Sequence, residues 1–293
     1  MTDDDRVLYE VDRDARIATI TLNNPAQRNS YDAAMRETVG RYLDVVAEDD
    51  DITVVLLRGA EGVFSTGANM NNAYGWYGDQ SEAQAKRRPS QRRRLTVDRK
   101  SFGFYHNFMG FPKVTVGGEI SGYALGGGFE MALMTDISVI ARDTKIGMPA
   151  TRFLGPALGS LHMFFHRLGP VLARRLLLTG DIITAGDVEH LGGVFTETCD
   201  AEKVTARARY WAEKKTAKMP ADGVVIAKEA FRLVEQSQAY QGEEVASYLF
   251  HAYGTNLQFS PGGEFNFVKT RAQVGTKEAF RLRDEHFHVP EPE

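Results

Sequence analysis

A single cysteine, Cys199, is all that 293 residues carry, so no intrachain disulfide can form and a reducing compartment is the natural setting. No apolar run approaches the roughly 20 residues that a membrane-spanning helix needs. Charge of one sign is also lacking: the formal net charge is -4, which favours neither a polyanion nor a membrane surface. Any anion site must therefore be local. The opening run Met1-Thr2-Asp3-Asp4-Asp5 is acidic where a signal peptide would be basic, and a cytoplasmic protein is expected. Internal repeats and a His-Glu-x-x-His pattern are absent too, and the latter argues against a metal site at His162 and His166 despite their spacing. What is present, 43% apolar and 25% charged residues, is ordinary for a globular chain long enough to bury a sizeable core.

Hydropathy patterning gives an α/β protein. Val7 to Val11 and Ile17 to Leu22 read as a strand pair across the polar turn Asp12-Arg13-Asp14. Tyr31 to Val46 places Met35, Val39, Tyr42, Leu43 and Val46 at helical spacing. Ile52 to Leu57 is an apolar, β-branched run that suits a strand covered on both faces. After a long excursion containing Tyr74, Trp76, Tyr77 and a basic stretch from Lys86 to Lys100, order returns. A helix is predicted over Phe102 to Met109, then a strand over Lys113 to Val116, a helix over Phe129 to Thr135 and a strand over Ile137 to Ala141. Leu161 to Leu178 reads as a helix broken near Gly169-Pro170, and Thr184 to Glu189 as a short capped helix. From about Ala201 only helices are expected: 203–217, 221–235, 243–257 and 262–279. We place a domain boundary there, with 1–200 as the core and 201–293 as a helical region.

Two glycine-bearing turns carry the chemistry. Gly126-Gly127-Gly128 stands between a predicted strand and a helix, and leaves the first amides of that helix without intrahelical partners. Those donors and the helix dipole favour negative charge, and Glu130 lies in the same first turn. Taken alone, the block reads first as a tightly packed helix start with a capping carboxylate. Phe64 to Asn71 supplies a second such turn at Gly67-Ala68. Two donors from separate turns, converging on one oxygen, make an oxyanion hole.

In these stretches the chain resembles the crotonase (enoyl-CoA hydratase/isomerase) superfamily. Gly67-Ala68-Asn69-Met70 sits where crotonases carry a Gly-Ala-Asp-hydrophobic motif, and Gly122 to Glu130 with Asp136-Ile137 matches the second signature of the family. Pro25 to Ser30, Leu178-Thr179-Gly180, Ala185 to Val194 and the helical tail extend the likeness. The resemblance implies a spiral of ββα turns followed by helices that assemble trimers or hexamers, and an acyl-CoA substrate with no metal or redox cofactor. It implies backbone N–H groups of Ala68 and Gly127 as the oxyanion hole and Glu130 as the general acid/base. Ala68, Asn69, Met70 and Asn71 would line the adenine pocket, with Arg28 near the CoA phosphates. Phe267 and Lys269 would be candidates to reach a neighbouring CoA.

One departure stands out. Where hydratases carry a second glutamate after Gly-x-Pro, this chain reads Gly147-Met148-Pro149-Ala150, and alanine moves no proton. A hydratase or isomerase running on Glu130 alone is expected. The alternatives are another thioester-enolate reaction (decarboxylation, C–C or thioester cleavage) or a non-catalytic acyl-CoA or RNA binder. Substitute acids would come from His106, His162, His166, Tyr74 or Tyr77, although packing is the stronger reading of each histidine. The basic stretch reads first as a solvated face and second as a CoA attractor. Nucleic acid is disfavoured, because net charge is negative and no aromatics interleave the run.

Overall fold

The computed structural model describes residues 3–72, 90–154, 159–237, 239–254 and 264–289. Strands β1 (Val7–Asp12) and β2 (Ile17–Leu22) form the expected antiparallel hairpin. Its turn is held by Asp12 Oδ1 accepting from Ala15 N–H at 2.9 Å. All six residues of β2 are buried, because β2 is covered on both faces and lies inside a six-stranded sheet. The sheet continues in parallel through β3 (Val54–Gly59), β4 (Val114–Ile120), β6 (Ile137–Ala141) and β9 (Glu197–Cys199), in the order β1-β2-β3-β4-β6-β9. A second sheet joins β5 (Tyr123–Leu125), β7 (Lys145–Gly147) and β8 (Ile182–Thr184). Strands of three residues are too short to carry a periodic signal, and β5, β7, β8 and β9 were not expected from the sequence.

Helices α1 (Ala33–Glu48), α3 (Gly127–Met134) and α4 (Thr151–Leu154) each follow a strand pair or its connecting strand, giving the ββα succession. Asp32 caps α1 by accepting from Met35 N–H at 3.2 Å, and the apolar face predicted from Met35, Val39, Leu43 and Val46 is buried. Helix α2 (Gln91–Met109) begins eleven residues before the predicted Phe102, because Ser90 Oγ caps it by accepting from Arg93 N–H. The described part of the basic stretch therefore lies on a helix from Gln91 onward. Arg92, Arg93, Arg99 and Lys100 face outward, but Arg94 and Asp98 are buried, so it is only in part a solvated face. Tyr74, Trp76, Tyr77 and Lys86 to Arg88 lie outside the described residues.

Helix α5 (Leu161–Thr179) breaks where expected, with Gly169 at φ 69°, ψ 163° before Pro170. Thr184 to Glu189 is not one short helix: the chain leaves β8 and enters a 3-10 turn over Gly186–Leu191. The capping pattern is real, with Thr184 N–H donating to Asp187 Oδ2 at 2.7 Å and Asp187 N–H to Thr184 Oγ1 at 3.3 Å. From residue 204 the described chain is helical. It comprises α6 (Val204–Arg209) running into a π-helical turn, then α7 (Ala221–Ser237), α8 (Tyr240–Gly254), α9 (Phe267–Val274) and α10 (Thr276–His286). The last predicted helix is divided in two by Gly275, whose φ of 82° no helix accommodates. Among the described residues no helix is long and apolar enough to cross a membrane.

Several polar ties join this helical region to the sheet, among them Arg207 and Trp211 to Glu197 of β9 and a cluster at Asp136. Asp136 accepts from Thr115 N–H (2.7 Å), from Thr115 Oγ1 (2.9 Å) and from Lys228 Nζ of α7 (2.7 Å). Lys228 is nearly buried while the Asp136 side chain is about a quarter exposed. Losing the charge-assisted bond should therefore cost roughly 1–2 kcal/mol rather than the full penalty of a buried ion. We expect Lys228→Met to lower the urea midpoint accordingly, with an unchanged m-value.

Candidate active site

Two turns are stitched together at the C-terminal edge of β3. Tyr31 N–H donates to Gly67 O at 2.9 Å and Asn69 N–H to Tyr31 O at 2.8 Å, so Ala68 between them directs its own N–H away from that pairing. Beside it, Leu125 N–H donates to Ser65 O at 3.0 Å, and the next residues form Gly126-Gly127-Gly128. Gly67 has φ 81°, and a Cβ there would meet both Gly127 N and Leu125 O at 2.7 Å. The turn needs glycine for its left-handed backbone and for this contact. Gly127 opens α3, where an amide has no intrahelical acceptor. Neither the Ala68 nor the Gly127 N–H has an acceptor among the described residues.

Glu130 lies in the first turn of the same helix and is 4% exposed. Its Oε1 accepts from Gly159 N–H at 2.9 Å and from Ser160 Oγ at 3.1 Å. Oε2 has no partner among the described residues. Loss of solvent dominates its titration: burial pushes the carboxyl up to about 8, the two hydrogen bonds hold it back in part, and the Glu243 charge adds to the rise. A carboxyl so placed gives and takes a proton near neutral pH.

These groups line one cavity of about 1010 Å³. At its mouth the exposed Arg28, in a left-handed turn at φ 53°, lies 4.9 Å over the Tyr123 ring, and Lys145 lies 5.5 Å from the same ring. Two cations thus lie against one aromatic ring, a fitting landing for phosphate. Asn69 Nδ2 donates to Gln27 Oε1 at 2.5 Å, and its Oδ1 accepts from Asn71 N–H at 3.0 Å. Its amide therefore orders the loop from Ala68 to Asn71, and Arg271 of α9 holds that loop through Met70 O at 2.6 Å. Ala68, Asn69, Met70 and Asn71 all line the cavity.

Ala150 is in the cavity wall as well, its methyl packed toward Phe267 and Ala279. Gly126 N–H donates to Gly147 O at 2.9 Å, which fastens the Gly147-Met148-Pro149-Ala150 segment to the start of α3. Phe267 and Lys269 are not brought to the cavity. Phe267 is fully buried against Phe280 of its own chain, ring centroids 4.9 Å apart, and the cavity is lined by Phe280 and Lys277 instead. Of the three histidines named as substitute acids, His162 bonds through Nδ1 to Glu243, His106 is buried on α2 and His166 is exposed; none of these three lines the cavity. Among the described residues no group of three or more His, Cys, Asp or Glu is placed to hold a metal ion.

Several cavity groups escaped the sequence reading. Tyr31 and Tyr105 join hydroxyl to hydroxyl. Asp98 of α2 pairs with His251 of α8 at 3.0 Å, and Arg36 donates to Ser101 Oγ at 2.7 Å. Asp98, Ser101, Phe102 and Tyr105 are spaced on one face of α2, a pattern open to inspection once α2 is known to begin at Gln91.

The family model for enoyl-CoA hydratase/isomerase matches residues 12–274. The chain belongs to this family. A probable enoyl-CoA hydratase of Mycobacterium bovis is 28% identical over 265 residues, covering 89% of this chain and 95% of that one. The 2,3-dehydroadipyl-CoA hydratase of Escherichia coli is 29% identical over 183 residues, 62% of this chain and 66% of that one. Among solved structures, an enoyl-CoA hydratase from Mycobacterium smegmatis superposes with a TM-score of 0.80 at 27% identity, covering 96% of this chain and 93% of that chain. The crotonase resemblance and the α/β fold class expected from the sequence are thus borne out, and the protein is an enzyme of the enoyl-CoA hydratase/isomerase family.

Proposed function

We propose that this crotonase hydrates a 2-enoyl-CoA thioester with Glu130 as its one carboxylate acid/base. The observation that carries the reading is the buried Glu130, raised to about 8, on the same helix turn as the unpartnered Gly127 N–H and inside the same cavity as Ala68. The thioester oxygen sits between the Ala68 and Gly127 amides. Glu130 takes a proton from water, the resulting hydroxide oxygen bonds to the β-carbon, and the double-bond electrons pass to the thioester oxygen as an enolate. Glu130 then returns the proton to the α-carbon. One carboxylate suffices, because water loses one proton and the carbon gains one.

Arg28 and Lys145 would hold the CoA phosphates, with Ala68 to Asn71 along the adenine pocket. We also propose the division into a 1–200 core and a 201–293 helical region that forms a homotrimer or hexamer. Ile226, Phe231, Leu233 and Phe250 leave an exposed apolar face on α7 and α8 that supports such packing. Coenzyme A enters as part of the substrate, in fatty-acid or related acyl-CoA breakdown in the cytoplasm.

Ala150 favours one further reading, double-bond isomerisation, in which the same carboxylate carries a proton across an allyl system. Steady-state assays with crotonyl-CoA and a longer 2-enoyl-CoA over pH 6 to 9.5 test both. The base form is needed first, so kcat/KM should rise with pH and level off above about 8. Going from pH 7 to 9 should gain roughly tenfold at most, since about a tenth of such a group is ionised at pH 7. A profile flat across that window, or absence of hydrated product, would remove the hydratase reading, and exchange of solvent deuterium at the γ-carbon would point to the isomerase.

A further inference from the structure

We propose that the Tyr31 hydroxyl is a third donor to the thioester oxygen, held in place by Tyr105, so that the hole has two backbone donors and one side-chain donor. The proposal rests on the reading of Ala68 and Gly127 as the oxyanion hole.

The geometry is specific. A Cβ built on Gly127 would overlap the Tyr31 hydroxyl oxygen and lie 2.5 Å from that of Tyr105. Since a Cβ stands about 2.5 Å from its own backbone nitrogen, the Tyr31 hydroxyl lies within roughly 4.5 Å of the Gly127 N–H. An oxygen accepting from that amide at ordinary length, on the side that faces Tyr31, falls within reach of the phenol. The same tyrosine is fixed at its backbone to the other donor strand, through Gly67 O and Asn69 N–H on either side of Ala68. One residue thus ties its main chain to one amide of the hole and its hydroxyl to the other.

The chemistry agrees. Tyr31 and Tyr105 are 3% and 6% exposed, both line the cavity and their hydroxyls bond to each other. In that pair only one proton lies between the oxygens. With Tyr105 donating to Tyr31, the Tyr31 proton is left to point at a ligand. Burial and the Glu130 charge raise both phenols, which keeps them protonated donors at neutral pH, while Arg36 pulls the other way. A neutral donor at the oxyanion also fits a site that lacks a second carboxylate at Ala150. Tyr31 is then a catalytic residue, and Tyr105 a positioning residue acting through it.

A chromophoric thioester, 4-dimethylaminocinnamoyl-CoA, reports polarisation of its carbonyl as a red shift of its absorption, without any turnover. We expect Tyr31→Phe to shrink the red shift on binding and to lower kcat with crotonyl-CoA ten- to a hundred-fold. Its affinity for the thioester should stay within about threefold, in line with a lost oxyanion donor. Tyr105→Phe should give a smaller loss of both. Replacing Tyr31 with 3-fluorotyrosine, a more acidic phenol of almost the same shape, should enlarge the red shift and keeps the test alive if the Phe variant folds poorly. A full red shift and full kcat in a folded Tyr31→Phe, or no change with 3-fluorotyrosine, would overturn the proposal. Bound thioester with no red shift in the wild-type protein would instead remove the oxyanion hole itself, and the third donor with it.

Discussion

Replacing Glu130 with Gln should lower the hydration rate at least about a hundred-fold while leaving acyl-CoA affinity nearly unchanged. The amide is almost the size of the carboxylate, and its oxygen can still accept from Gly159 N–H and Ser160 Oγ, so the fold around α3 and α5 keeps its bonds. What disappears is the cavity carboxyl that stands in the first turn of α3 with Gly127 and is raised to about 8. On the proposed function, binding is carried elsewhere, by backbone donors and by Arg28, Tyr123 and Lys145. The measurement is kcat for crotonyl-CoA beside a dissociation constant for a thioester, wild type against variant. A variant retaining more than a tenth of the rate would mean that another group moves the proton. Wild-type protein that binds acyl-CoA without turning it over would send the assignment to another enolate reaction or to a binding role.

Gly67→Ala should do comparable damage without touching any side chain that reacts. A Cβ at that residue would stand 2.7 Å from Gly127 N and from Leu125 O, both backbone atoms, and its φ of 81° adds about 1–2 kcal/mol of strain for any L side chain. Relief requires the two turns to part, and their separation is what sets the spacing of the Ala68 and Gly127 amides. Losing one oxyanion donor costs about a hundred- to a thousand-fold in kcat. We therefore expect a loss of kcat/KM in that range, with a modest fall in thermal midpoint and with the absorption shift of a bound chromophoric thioester reduced. Activity within tenfold of wild type would mean that the two turns do not jointly set the hole.

Much of this arrangement was open to reading in the chain. Ile17–Leu22 and Ile137–Ala141 were found to the residue, because both are runs of apolar, β-branched and small residues bounded by the polar Arg16, Asn23, Asp136 and Arg142. Gly126-Gly127-Gly128 announced the start of α3, and Ala150 announced the missing carboxylate, since both signals are local. Other features were not local. Tyr31 and Tyr105 meet across 74 positions, and each, read alone, is one more aromatic on an apolar helix face or at its start. Asp98 stood inside a run of arginines and read as part of a charged surface, until capping at Ser90 extended α2 and turned that residue inward toward His251. Phe267 was singled out by resemblance, and packing against Phe280 within its own chain is what its surroundings show.

The cavity is built from distant parts of the chain. The groups proposed to react come from before residue 160, whereas His251, Thr276, Lys277 and Phe280 close the same space from α8 and α10. The later segment thus shapes what fits without supplying the carboxylate or the amides. Substitutions there can retune which acyl group is accepted while the proton-moving apparatus stays as it was, so selectivity and chemistry are free to diverge at different rates. By the same token, a ribosome-bound chain lacking its last helices would own every reacting group and still have no closed vessel in which to use them.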